Sequence, residues 1–192
     1  MAALDGTAGV RGHRHVEEAL LDDLARLDAA DPSGMLRHLA SAGAQVRESA
    51  ALAAEANLAS LAEEGRPRAL VIAGVGTAGR TGDLLETVAG PRCPVPVVGH
   101  RSAGIPGWVN ASDAVIAVSA SGRSPEAIAA ADAAGRRGAR LVAVGPPDSE
   151  LHALAERARA PFVPVPRRAP ARASLWAPVS YTHLTLPTNR EV

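Results

Sequence analysis

Lysine is absent from this chain, cysteine occurs once, and phenylalanine and tyrosine occur once each. Each shortage excludes something. With Cys93 as the only thiol, neither an internal disulfide nor a thiolate zinc cluster can form. With aromatics at 2%, the core is not built on large rings; the 47% hydrophobic content rests mainly on Ala, Val and Leu. That composition predicts tight helix–sheet packing with few large anchors. All 20 positive charges are Arg, set against 20 Asp and Glu; no chemistry demands the missing Lys, which we read as codon bias. Zero net charge argues against a general nucleic-acid or membrane role, since both need a basic excess. No apolar run has the length of a transmembrane helix, and the N-terminus carries no signal-peptide core. A soluble, cytoplasmic protein is expected.

What is present fits one ordinary domain with additional helix, at 192 residues. From His13 to Glu64 the pattern is helical, with Val16, Leu20, Leu24 and Leu27 at three- and four-residue spacing. Asp31-Pro32-Ser33-Gly34 reads as a turn with a ready N-cap, after which a second helix carries Met35, Leu39, Val46, Leu52, Leu58 and Leu61. Two such helices need a partner for their apolar faces, so they are expected to pack on the rest of the chain.

The period then changes. Ala69–Ala73 is short and wholly apolar, as buried parallel strands are, and Val95–Val98, Ala114–Val118, Leu141–Val144 and Phe162–Val165 repeat the theme. Helical stretches, Thr81–Ala89, Pro125–Arg137 and Glu150–Arg159, fall between several of them. The alternation predicts an α/β fold: a three-layer α/β/α sandwich on a five-stranded parallel sheet of flavodoxin-like type, preceded by N-terminal helices. The organisation expected is N-terminal helices over 1–66, the α/β domain over 67–179, and a distinct tail over 180–192.

Two loops stand where chemistry can occur, both after strands. Gly74-Val75-Gly76-Thr77-Ala78-Gly79 has the GxGxxG spacing, in which glycines let backbone approach an anion at a helix N-terminus. A dinucleotide site also needs an acid ending the second strand, and that place reads Val98-Gly99-His100-Arg101. Arg101 leaves an NADP reading open. Ser119-Ala120-Ser121-Gly122-Arg123-Ser124-Pro125-Glu126 crowds three hydroxyls and a glycine at the mouth of a helix. Ser124 and Pro125 suit an N-cap and first turn, so the loop is either a plain helix start or an anion cradle of hydroxyls and backbone N–H groups. Two anion-friendly loops on one sheet edge strengthen the phosphate reading.

Ser119–Glu126 resembles the SxSGxT signature of sugar-isomerase (SIS) domains, with Ser124 in the threonine position. Gly74–Gly79 looks like the family's other loop, GxGxS. Among SIS proteins the chain is most similar to the bifunctional phosphoglucose/phosphomannose isomerases. Asp31-Pro32-Ser33-Gly34-Met35-Leu36 and Pro170-Ala171-Arg172-Ala173 look like further landmarks of that group. The resemblance covers roughly residues 15 to 179. It implies phosphosugar contacts from Gly76, Thr77, Ala78, Ser119, Ser121, Gly122 and Ser124, and a catalytic role for Arg172 in steadying an enediol-like intermediate. It implies no cofactor and no metal. Glucose 6-phosphate, mannose 6-phosphate and fructose 6-phosphate are the implied ligands, and a second SIS domain or a homo-oligomer the implied partner. Two departures stand out: Ala78 replaces the serine of the glycine loop, leaving Thr77 to supply a hydroxyl, and Arg123 replaces the asparagine before Ser124.

Aldose–ketose isomerisation needs ring opening and a base that moves a proton between two carbons. The resemblance places a Glu and a His for this beyond the first SIS domain, and no counterpart is evident; Glu126 suits helix-dipole compensation better. From Ser180 to Val192 the composition changes, with the only Tyr and a burst of Thr. That stretch resembles translated sequencing-adaptor DNA and is expected to be non-native, so His183 is not promoted to a catalytic role. The chain is therefore expected to be truncated before its catalytic residues. His13 and His15 have metal-ligand spacing without a third ligand. His100 and Arg101 either approach a sugar phosphate or lie in a solvated loop, and Trp108 either packs on the sheet edge or lines the pocket. The isomerase reading competes with a non-catalytic sugar-phosphate-binding regulatory module, and with an NADP-dependent oxidoreductase.

Overall fold

The computed structural model describes residues 22–56, 58, 61 and 64–165. The chain divides between Leu36 and Arg37 into two compact units. In the first, α1 (Leu24–Ala30) starts at Asp23, whose carboxylate accepts the Arg26 N–H at 3.1 Å. The expected turn comes next: the Asp31 carboxylate accepts the Ser33 hydroxyl at 2.9 Å and the Leu36 N–H at 2.7 Å.

The helix expected after the turn is two helices, α2 (Met35–Ala40) and α3 (Ala42–Glu55). Ser41 separates them. Its hydroxyl donates to the His38 carbonyl at 2.6 Å and accepts from the Gln45 side chain at 2.9 Å. A serine that bonds backbone locally competes with helix continuation.

In the second unit the strands are β1 (Leu70–Ala73), β2 (Val97–His100), β3 (Ala114–Val118), β4 (Arg140–Gly145) and β5 (Phe162–Pro164). They form one parallel sheet in the order β2-β1-β3-β4-β5. Between them run α4 (Gly76–Ala89), α5 (Pro125–Arg136) and α6 (Glu150–Ala158). The expected sandwich forms. Strand side chains alternate between faces. Val71, Ala73, Val115, Ala117, Leu141 and Ala143 meet the alanines of α5 and Leu151, Leu154 and Ala155 of α6. Leu70, Ile72, Ile116, Val118, Val142 and Val144 meet Ala53 of α3, Ala78 and Leu85 of α4. Because α5 presents Ala127, Ala130, Ala131, Ala133 and Ala134, its backbone comes close to the sheet. Among the described residues no helix is long and apolar enough to cross a membrane.

This strand order puts the topological switch between β1 and β3, and open parallel sheets bind ligands outside the carboxyl ends of strands at that point. Both loops singled out in the sequence begin there.

Candidate functional site

Residue 73 of β1 pairs with residue 117 of β3, so the glycine loop and the serine loop leave the sheet side by side. Their closeness is dictated by glycine. A Cβ on Gly74 would lie 3.0 Å from the Val118 carbonyl oxygen, and one on Gly79 would lie 2.7 Å from the Gly74 oxygen. Gly76 begins α4 at φ +61°, and among the described residues no side chain caps that helix. The first-turn N–H groups of a helix lack intrahelical partners and carry its positive dipole end. Thr77 is exposed beside them, whereas Ala78 is buried and packs with Leu85 and Ile72 in the core.

In the second loop Ser119 is buried, and its hydroxyl organises the turn. It lies 3.4 Å from the Ser121 hydroxyl and accepts the Ser124 N–H at 3.2 Å. Ser121 is exposed and accepts the Arg123 N–H at 3.2 Å. Ser124 is the N-cap of α5, in extended backbone, with Pro125 in the first turn. Its hydroxyl donates to the Glu126 carboxylate at 2.7 Å and accepts the Ala127 N–H at 3.5 Å. That donated bond, and the residue's own backbone N–H, hold the Glu126 carboxyl below its usual value. Plain helix capping and loop organisation therefore coexist in these serines.

A third loop supports the second, and its composition did not single it out. Gly145 ends β4, and Ser149 caps α6 by accepting the His152 N–H at 3.2 Å. Gly122, at φ +69°, accepts the Leu151 N–H at 3.1 Å and is pressed against Ser149. The signal available was Gly145-Pro146-Pro147-Asp148-Ser149 after a strand, a turn chemistry that says nothing about its neighbour.

Arg101 turns to α4. It ion-pairs with Asp83, and its Nε donates to the Gly79 carbonyl at 3.4 Å. His100 ends β2, and its carbonyl accepts the Gly74 N–H at 3.0 Å. Trp108 is partly exposed and lies with its ring 5.8 Å from the Arg68 guanidinium, near the segment that precedes β1 rather than at the loops. Among the described residues no three His, Cys, Asp or Glu side chains gather as metal ligands. Arg172, His13, His15, His183 and the 180–192 tail lie outside the described residues.

The fold has known counterparts. A candidate phosphosugar isomerase from Clostridium difficile 630 superposes with a TM-score of 0.60 at 13% identity, over 79% of this chain and 44% of that one. A hypothetical protein from Thermus thermophilus gives 0.56 at 22%, over 87% of this chain and 43% of that one. This is the sugar-isomerase (SIS) fold. The NanR protein of Vibrio vulnificus, complexed with ManNAc-6P, matches the SIS fold of this chain with a TM-score of 0.55 at 20% identity, over 84% of this chain and 64% of that one. In sequence, the chain is 30% identical over 106 residues to a bifunctional phosphoglucose/phosphomannose isomerase of Caldicellulosiruptor bescii, covering 55% of this chain. It spans 31% of that relative's length. No family model matches the chain.

Proposed function

We propose that this chain is the phosphosugar-binding SIS domain of a sugar-phosphate aldose–ketose isomerase that interconverts glucose 6-phosphate or mannose 6-phosphate with fructose 6-phosphate. The observation that carries the reading is the juxtaposition of an uncapped helix start, Gly76 and Thr77, with the hydroxyl-rich turn Ser119–Ser124 on adjacent strands. Backbone N–H groups at the start of α4 and the Ser121 hydroxyl would grip the phosphate, with the buried Ser119 and Gly122 fixing the turn. The phosphate's charge is favoured by the N-terminal dipole ends of α4 and α5. Proton transfer would rest on the Glu and His that the resemblance places beyond a first SIS domain, with Arg172 steadying the intermediate. The curated isomerase relative and the ManNAc-6P complex of NanR support the ligand class. We place the protein in the cytoplasm, with a second SIS domain or a second copy as its partner.

Two observations favour a second reading, a sugar-phosphate-binding module without catalysis. Ala78 is buried, so the glycine loop offers no hydroxyl at that position, and the Ser124 proton is already given to Glu126. Such a site binds without the full set of contacts that a turnover site uses.

Calorimetric titration of fructose 6-phosphate tests the site common to both readings. Ser121→Ala is expected to weaken binding about tenfold, the loss of one charge-assisted hydrogen bond. Equal affinity in the two proteins removes Ser121 and its turn from the site.

A further inference from the structure

Arg101 and His100 are neighbours in sequence and go opposite ways. Arg101 is occupied on the α4 side by Asp83 and the Gly79 carbonyl. His100 pairs with Ala73 in the register, and alternation of side chains puts the two on one face. Ala73 belongs to the face covered by α5, the helix that the serine loop opens. His100 therefore stands on the serine-loop side of the sheet, at the strand ends where both loops begin.

Its row in the sheet is unusual. Across the strands it reads His100, Ala73, Ala117, Ala143. Three methyl groups supply no hydrogen-bond partner, and the His100 Nε2 is buried with none among the described residues. A buried polar atom without a partner is rare enough in folded proteins to call for a reason. The neighbouring Gly74 loop is fixed by backbone, its N–H donating to the His100 carbonyl. From His100 to the β3 strand end is two strand spacings, about 10 Å. The open carbon chain of a hexose phosphate, anchored by its phosphate at Ser121, covers such a span along the edge.

We propose that His100 is a specificity-determining residue of this site, its Nε2 pairing with a hydroxyl on the carbon chain of a bound sugar phosphate. The inference rests on the phosphosugar reading given above. It assigns the two ends of the ligand to different strands: phosphate to the loops after β1 and β3, sugar to the end of β2. Discrimination among sugar phosphates would then come from a residue that makes no contact with phosphate.

The test uses the full chain, two ligands and three variants. Inorganic phosphate and fructose 6-phosphate are titrated against wild type, His100→Ala, His100→Gln and Ser121→Ala, with circular dichroism checking the fold. His100→Ala is expected to weaken fructose 6-phosphate by about five- to tenfold while leaving phosphate unchanged. His100→Gln, which keeps a donor and an acceptor, should recover most of that loss. Parallel weakening of both ligands by His100→Ala would assign the ring a purely structural role and overturn the proposal. So would an unchanged affinity for both, while Ser121→Ala weakens both. If Ser121→Ala also changes nothing, the loop assignment itself is wrong and this inference goes with it.

Discussion

Gly122 shows how little freedom the serine loop has. Its φ of +69° is left-handed, and a Cβ placed there would lie 2.2 Å from Cβ of Ser149 and 2.4 Å from its Oγ. Ser149 cannot retreat without giving up the cap of α6. Gly122→Ala therefore combines backbone strain with overpacking, and should destabilise the protein by about 2–4 kcal/mol. Gly135, in α5 with open space where a methyl group would go, is the control. There the same change should stabilise by about 0.5–1 kcal/mol, the helix propensity difference. Urea denaturation with an unchanged slope measures both. A Gly122→Ala midpoint within error of wild type would mean that the loop re-forms easily around Ser149. The same residue scale shows what the departure at Ala78 does: the side chain is spent on the core, and the glycine loop offers no hydroxyl there.

At the scale of elements, Ser124 ties the loop to α5. It caps the helix through the Ala127 N–H and is itself held by Glu126. Ser124→Ala should cost about 1 kcal/mol, lowering the melting temperature by about 2–4 °C. An unchanged melting temperature would show that Pro125 and Glu126 start the helix unaided. The elements were largely legible in the sequence because apolar strands and Ala-rich helices alternate cleanly. β3 matches its expected bounds, and the other strands shift by a residue or two. α4 was harder: the GxGxxG glycines argue against helix, yet it begins at Gly76, because Gly79 and Gly82 are needed for close approach to Gly74 and Gly99. The break at Ser41 is not legible in the sequence, because hydrophobic spacing runs through it and only the serine's local bonds interrupt it. Of the candidate site, the two loops were readable from composition. What was not readable depends on strand order: the support of Gly122 by the β4 loop, the capture of Arg101 by Asp83, and the isolation of the His100 nitrogen.

Across the whole second unit, the candidate site lies at one end of the strands and a buried ion pair at the other. Opposite the loops, Arg68 precedes β1 and Asp113 precedes β3. The Arg68 Nε and Nη2 donate to the two Asp113 carboxylate oxygens at 2.9 and 2.7 Å, and Nη2 also donates to the Trp108 carbonyl at 2.8 Å. The Asn110 N–H adds a bond to Asp113 at 2.9 Å. Asp113 is buried, and the pair joins the starts of the two strands whose far ends carry the candidate site. The Arg68 guanidinium, with the Asn110 and Ala69 N–H groups, holds the Asp113 carboxyl below its usual range, against the opposing effect of burial. The folded carboxyl thus has a lower pKa than the unfolded one, which lies near about 4. Its stabilisation is fully present above that value and is lost as the pH falls through the folded one. Arg68 shifts upward and stays charged throughout this range. Asp113→Asn should therefore cost about 2 kcal/mol at neutral pH, with the gap to wild type closing as the pH falls below about 4. Denaturation midpoints compared from about pH 7 to about pH 3 measure it. Curves that stay parallel to the lowest pH would remove the ion pair from the acid sensitivity of the fold. Because this edge lies at the opposite ends of the same strands, fructose 6-phosphate affinity at neutral pH should be the same in Asp113→Asn and wild type while both remain folded.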